Sequence, residues 1–160
     1  MLLQTIQRTL EQLVQLHQSL HAVSVQKTEA LKAGEIDQLQ ELLKKEKKHI
    51  NAINQTEQQR MEQTNKWAIA NGLADEPITV TTMLEHLHGT EDGQSLEQIT
   101  TTLTETLVKL KQQEALNQQL TQQSLQFVQL SMDMIAPTIN TFNYGNKQQA
   151  SNRSVFDSKA

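Results

Sequence analysis

Histidine is the residue type in this chain best suited to chemistry, and His17 and His21 stand four apart. That spacing places both imidazoles on one face of a helix, as a shared metal ion requires. No Glu lies in the pair as in a metalloprotease, and no third ligand is suggested. His86 and His88 are separated by one residue, which points them apart on a helix. Real metal sites in helical bundles bring carboxylates inward from several helices. These histidines are therefore read as surface or half-buried side chains, with no metal expected. Lys44-Lys45-Glu46-Lys47-Lys48 is the basic run of the chain. Glu41 stands four before Lys45, the spacing of a helix ion pair, so the run reads as a solvated face. The absence of Cys removes thiolate nucleophiles, thiolate zinc sites and a disulfide framework. There is no glycine-rich phosphate loop, no Ser-His-Asp set in a strand-turn setting and no carboxylate pair in apolar surroundings. Neither enzyme activity nor a cofactor is expected.

The elements that would position any site are helices. A length of 160 residues suits one domain with a core. Five Gly and two Pro are few, while Gln, Leu, Glu, Lys and Thr dominate, the composition of long helices. One Trp, one Tyr and three Phe leave the core to aliphatic side chains. A net charge of −4 argues against a nucleic-acid footprint. The N-terminus has polar residues inside any would-be signal, and no apolar run reaches the roughly 18 residues of a membrane span. The expected compartment is the cytoplasm, with no membrane insertion.

In the first helix, residues 2–33, Leu3, Ile6, Leu10, Leu13, His17 and Leu20 step by three and four, continuing through Ser24, Lys27 and Leu31. Gly34 is expected as its left-handed cap. A second helix from an Asp37 N-cap to about residue 71 carries the stripe Ile36, Leu39, Leu43, Ile50, Ile53, Arg60 and Trp67, with Leu42 and Met61 on its flank. The short connection makes the two an antiparallel hairpin. Pro77 marks a break. Thr82 with Glu85 offers a capping box for a short helix, Thr90-Glu-Asp-Gly93 reads as a turn, and Ser95 with Gln98 opens the final helix. The fold expected is all-α: an elongated, coiled-coil-like bundle of a hairpin, a short helix and one long C-terminal helix, with a flexible tail. Residues 1–136 form one domain on this reading, and 137–160 a polar tail.

The long helix is the informative element. Its stripe runs through Leu96, Ile99, Leu103, Leu107, Leu110, Leu120 and Phe127, then widens until Leu125, Phe127, Val128, Leu130, Met132, Met134 and Ile135 cover most of the circumference. A surface helix normally shows one apolar stripe. Residues 95–136 span about 63 Å, outreaching the hairpin by roughly 10 Å, and the widened part falls on that overhang. Pro137 is expected to stop the helix. Seams of all three long helices are interrupted by polar residues, among them Ser24, Lys27, Glu57, Arg60, Thr64, Gln113, Asn117 and Ser124. In the hairpin these read as drift between 3.6 and 3.5 residues per turn. In the last helix a loosely held element, free to exchange partners, is an open alternative.

The stretch Asn117-Gln-Gln-Leu-Thr-Gln-Gln-Ser-Leu-Gln-Phe-Val-Gln-Leu-Ser-Met-Asp-Met-Ile-Ala-Pro137, then Asn143-Tyr-Gly and the closing Ser154-Val-Phe-Asp-Ser-Lys-Ala, resembles the FlgN-type flagellar export chaperones. The junction Lys27-Thr-Glu-Ala-Leu-Lys-Ala-Gly34 is similar too. The resemblance implies a cytoplasmic type III export chaperone for the hook–filament junction proteins FlgK and FlgL. Such a chaperone binds its client's C-terminal helical segment, prevents premature assembly and passes the client to the export gate protein FlhA. Carried over by position, the client surface falls on Leu120, Ser124, Phe127, Val128, Leu130, Ser131, Met134 and Ile135. Tyr144 and Phe156 would face the gate. The residues themselves agree, since Met, Leu and Val supply apolar surface that re-packs around an amphipathic helix. A coiled-coil scaffold joined by homodimerisation, or a helical chaperone of another secretion branch, stays open, as does weak homo-oligomerisation.

Overall fold

Four helices and no strand make up the described residues: α1 (Leu2–Ala33), α2 (Ile36–Ala70), α3 (Val80–His86) and α4 (Glu91–Tyr144). The computed structural model describes residues 1–73 and 77–144, without side chains for 136–144. The all-α expectation holds. The chain divides into two units, Met1–Leu120 and Thr121–Ala160.

In the first unit, local capping sets the hairpin. Gly34 sits at φ +69°, a left-handed conformation open to glycine at no steric cost. Its N–H donates to the Leu31 carbonyl, and the Glu35 N–H to the Ala30 carbonyl at 3.0 Å. This paired cap turns the chain within two residues. The hairpin is antiparallel: Thr9 Oγ1 donates to Gln63 Oε1 near one end, and Lys27 reaches Glu46 toward the other. α4 runs parallel to α1, with Gln7 bonded to the Asp92 carbonyl and Asn117 to Ser24. Ile6, Leu10 and Leu13 of α1, Trp67 of α2, Met83 of α3 and Leu96 of α4 form the main core. Trp67 is 5% exposed, as its place on the stripe predicts, and the His86 ring meets it edge-on with centroids 5.4 Å apart. A smaller cluster of Val23, Ala30 and Leu42 packs near the α1–α2 connection.

Several expectations are corrected. Glu35, not Asp37, is the N-cap residue of α2, and Asp37 lies in the first turn, where a carboxylate favours the positive end of the helix dipole. Thr79 caps α3 by accepting from the Thr82 N–H, so Thr82 lies inside the helix. Thr90-Glu-Asp-Gly93 is no separate turn. Thr90 Oγ1 accepts from the Gly93 N–H at 3.0 Å, and α4 begins at Glu91, ahead of Ser95. The same residue types that favour turns also cap helices. On α2 the buried position is Leu42, 3% exposed, while Leu43 is 46% exposed. On α4 it is Thr106, 7% exposed, while Leu107 is 41% exposed. Glu41 pairs with Lys44 rather than Lys45. Finally, α4 does not stop at Pro137 but continues to Tyr144. Proline removes one N–H, here the partner of the Asp133 carbonyl, and the rest of the ladder can bond around that gap.

Of the polar residues in the seam, Ser24, Lys27, Gln113 and Asn117 are joined in one network rather than marking drift. Lys27, 7% exposed, donates to Glu46 Oε2 and to Glu114 Oε2 at 3.3 Å. Ser24 Oγ donates to Glu114 Oε1 at 2.6 Å, and Asn117 Nδ2 donates to the Ser24 carbonyl at 2.9 Å. Thr28 donates to the Asn117 side-chain oxygen and accepts from Gln113. Side chains from α1, α2 and α4 thus close one network, and among the described residues no buried side-chain N or O lacks a partner. Satisfied networks of this kind hold helices firmly, because an unpaired buried group costs about 1–3 kcal/mol. Arg60 makes a two-point pair with Glu57 one turn away. That hydrogen bond raises the guanidinium further above its ordinary range, with burial opposing and the Glu57 charge adding to it.

Candidate functional site

Within the first unit, the buried and half-buried side of α4 advances by three and four through Leu96, Ile99, Leu103, Thr106, Leu110, Gln113, Asn117 and Leu120. The same register carries onward along the helix to Ser124, Phe127, Ser131 and Met134. There the burial ends. Phe127 and Met134 are each 70% exposed, and Leu125 is 64% exposed. Val128, Leu130, Met132 and Ile135 are exposed as well.

At 100° per residue, Leu120, Ser124, Phe127, Val128, Ser131, Met134 and Ile135 fall within about 120° of arc. Leu130 lies just beyond one edge, and Met132 and Leu125 just beyond the other. Together the apolar side chains occupy about 220° of the circumference, roughly twice what a one-sided amphipathic helix needs. Ser131 Oγ donates to the Phe127 carbonyl at 2.8 Å, which satisfies the hydroxyl and leaves the apolar neighbours as the features of that face. Leu120 is half-buried and ends the first unit. The residues expected to bind a client therefore share a face of one helix. Leu125 and Met132, visible in the sequence as part of the widened stripe, belong beside them. Tyr144 is the last helical residue. Its side chain and Phe156 lie outside the described residues.

Chemically this face can bury aliphatic, Met and Phe side chains, and contiguous exposed apolar surface of this kind marks an interaction site. It offers no nucleophile or acid–base pair. Elsewhere, His17 Nδ1 bonds the Leu13 carbonyl at 2.7 Å, and no group of three or more potential metal ligands occurs among the described residues. No described helix is long and apolar enough to cross a membrane.

The sequence model of the FlgN protein matches residues 1–152. A relative from Bacillus subtilis (strain 168), named Uncharacterized protein YvyG, is 39% identical over 156 residues, covering 94% of each chain. No solved structure matches. The match spans all four helices and the exposed α4 face alike: the chain belongs to the FlgN family, a family of flagellar export chaperones and not of enzymes.

Proposed function

We propose that the chain is a cytoplasmic chaperone for the hook–filament junction proteins FlgK and FlgL, and that it binds their C-terminal helical segment on the α4 face from Leu120 to Ile135. The observation carrying this reading is the seam register that runs on past Leu120 with its apolar side chains uncovered. A helix laid along that face would be held by anchors at three- and four-residue spacing, the mode by which amphipathic helices dock on apolar surfaces. Met132 and Met134 lend the face the adaptability that two different clients demand. Binding alone is the activity: the client is shielded from premature assembly and then surrendered to FlhA. Tyr144, Phe156 and the polar residues 137–160 are proposed as the part that meets the gate.

Phe127→Ala tests the site. If Phe127 is the energetic centre, the variant loses about 2 kcal/mol or more of client affinity and keeps its melting temperature. A variant that melts early but binds normally would place Phe127 in the folded core and overturn the site. The same face could instead join two copies of the chain. Light scattering separates the readings: a chaperone forms a one-to-one complex with added FlgK or FlgL, whereas a scaffold shows doubled mass without any client.

A further inference from the structure

We propose that α2 carries a second docking surface, separate from the α4 face, which takes an acidic amphipathic helix from another protein. Ile36, Leu43, Ile50 and Met61 are between 41% and 67% exposed. Ile36, Leu43 and Ile50 recur every seven residues, and Met61 follows eleven later. These intervals keep all four within about 40° of arc on a straight helix, over about 38 Å. The line lies beside the buried seam of Leu42, Thr56 and Thr64 rather than in it. Aliphatic side chains at heptad intervals match the knobs of a helix laid alongside.

Charge identifies the occupant. Lys47 falls in the line itself, and Lys44 and Lys48 rise on the flank away from the seam. Lys44 pairs with Glu41, whereas Lys47 and Lys48 have no ion pair among the described residues. Glu46, the acidic residue within the run, is already engaged by Lys27 inside the bundle. Asp37 and Glu62 stand on the same flank near the two ends of the line. The cationic excess is therefore concentrated at its middle on Lys47 and Lys48, and its complement is a helix with an apolar stripe flanked by Glu or Asp opposite that middle. A second copy of this chain fits poorly. Either a parallel or an antiparallel pairing of the stripe would bring the lysine run against itself near the middle. A membrane surface fits poorly too, because the line is one side chain wide and has no aromatic residue, whereas helices lying in a bilayer use a broad face with Trp and Phe. The proposal does not rest on where the client binds.

The test uses the full-length chain and a labelled synthetic peptide of about four heptads, with Leu at the seam positions and Glu on both flanks. Its counterpart with Gln in place of Glu, and vesicles of phosphatidylcholine and phosphatidylglycerol, are the comparison arms. The acidic peptide is expected to bind saturably, more weakly as salt rises, and more tightly than the Gln peptide. The triple change Lys44→Glu, Lys47→Glu, Lys48→Glu should weaken it roughly tenfold or more, and Leu43→Ser with Ile50→Ser by a similar factor. Phe127→Ser should leave it unchanged. All the altered α2 side chains are exposed, and circular dichroism melting verifies that each variant stays folded. Should the serine pair unfold, the exposed lysine variant decides alone. Equal binding by the lysine variant, no saturable binding, loss with Phe127→Ser instead, or vesicle binding through these lysines without peptide binding would each overturn the proposal. Client binding is read in a different assay, so failure of this surface and failure of the α4 site remain distinguishable.

Discussion

At the scale of single residues, two positions have consequences out of proportion to their number. Trp67 joins the core made by three helices and meets His86 edge-on. Trp67→Ala should cost about 3 kcal/mol or more, since the cavity left by a buried indole is poorly refilled. Denaturant unfolding measures that cost, and an unchanged midpoint would contradict the packing described. Gly93 is buried in the first turn of α4, where an added Cβ would fall well inside contact with the Leu87 carbonyl. Backbone cannot step aside as a side-chain tip can. Although alanine favours helices, Gly93→Ala should destabilise by about 1–3 kcal/mol, read as a lower melting temperature. Trp67 was legible in the sequence because it extends an aliphatic stripe. The crowding at Gly93 was not, because it depends on how α3 leads into α4.

At the scale of elements, the glycine-capped C-terminal ends of α1 and α2 were readable, whereas the starts of α2, α3 and α4 and the seams filled by polar residues were not. The ends of α1 and α2 at Gly34 and Gly72 follow from the left-handed conformations those residues adopt, at φ +69° and +73°. The α2 seam was misread by one residue, because Leu42 and Leu43 are both apolar and the deciding positions beyond them are Glu46, Thr56 and Arg60. On α4 the choice between Thr106 and Leu107 failed for the same reason. A hydrophobic pattern has no way to rank a threonine above a leucine unless the neighbouring helices are known. The exposed face of Phe127 and Met134 was legible, since no arrangement of one-sided partners covers an apolar arc that wide. One expected outcome belongs to this scale. A chain ending after Leu120 retains the compact first unit, so it should keep its helical signal per residue and cooperative melting while losing client binding. Circular dichroism together with a client pull-down checks both halves. Retained binding would move the client site off α4.

At the scale of the whole molecule, family membership and composition agree on a protein that works by association. The chain has a net charge of −4, yet a run of four lysines stands on one stretch of α2 beside a narrow line of uncovered aliphatics, while the broader uncovered apolar face is on α4. Distribution, more than total charge, determines which partners such a molecule attracts. The complete chain should therefore give two salt responses. Client affinity, resting on apolar contact, should change little between low and moderate ionic strength. Association through the α2 lysines should weaken steeply over the same range. Titration calorimetry at several salt concentrations would show the contrast, and identical slopes would argue that one surface serves both.

The network of Lys27, Glu46, Glu114 and Asn117 also acts as an alignment key. Helices that repeat every seven residues pack almost as well when one slides by a heptad, so apolar matching alone leaves their alignment nearly degenerate. Sliding α4 by seven residues would set Leu110 in the place of Asn117 and Leu107 in the place of Glu114. Lys27 would keep Glu46 of α2 but lose Glu114, and Thr28 would lose Asn117 and Gln113. The observed alignment leaves no buried side-chain N or O unpaired among the described residues, and the cost of that selectivity is stability an apolar layer could have supplied. Replacing the network by Lys27→Met, Glu46→Leu, Glu114→Leu and Asn117→Leu, with Ser24→Ala so that no hydroxyl is left unpaired there, should leave the melting temperature equal or higher. Amide resonances of α4 should then double or broaden as the helix samples neighbouring alignments, whereas one sharp set would show that the apolar layers are sufficient by themselves.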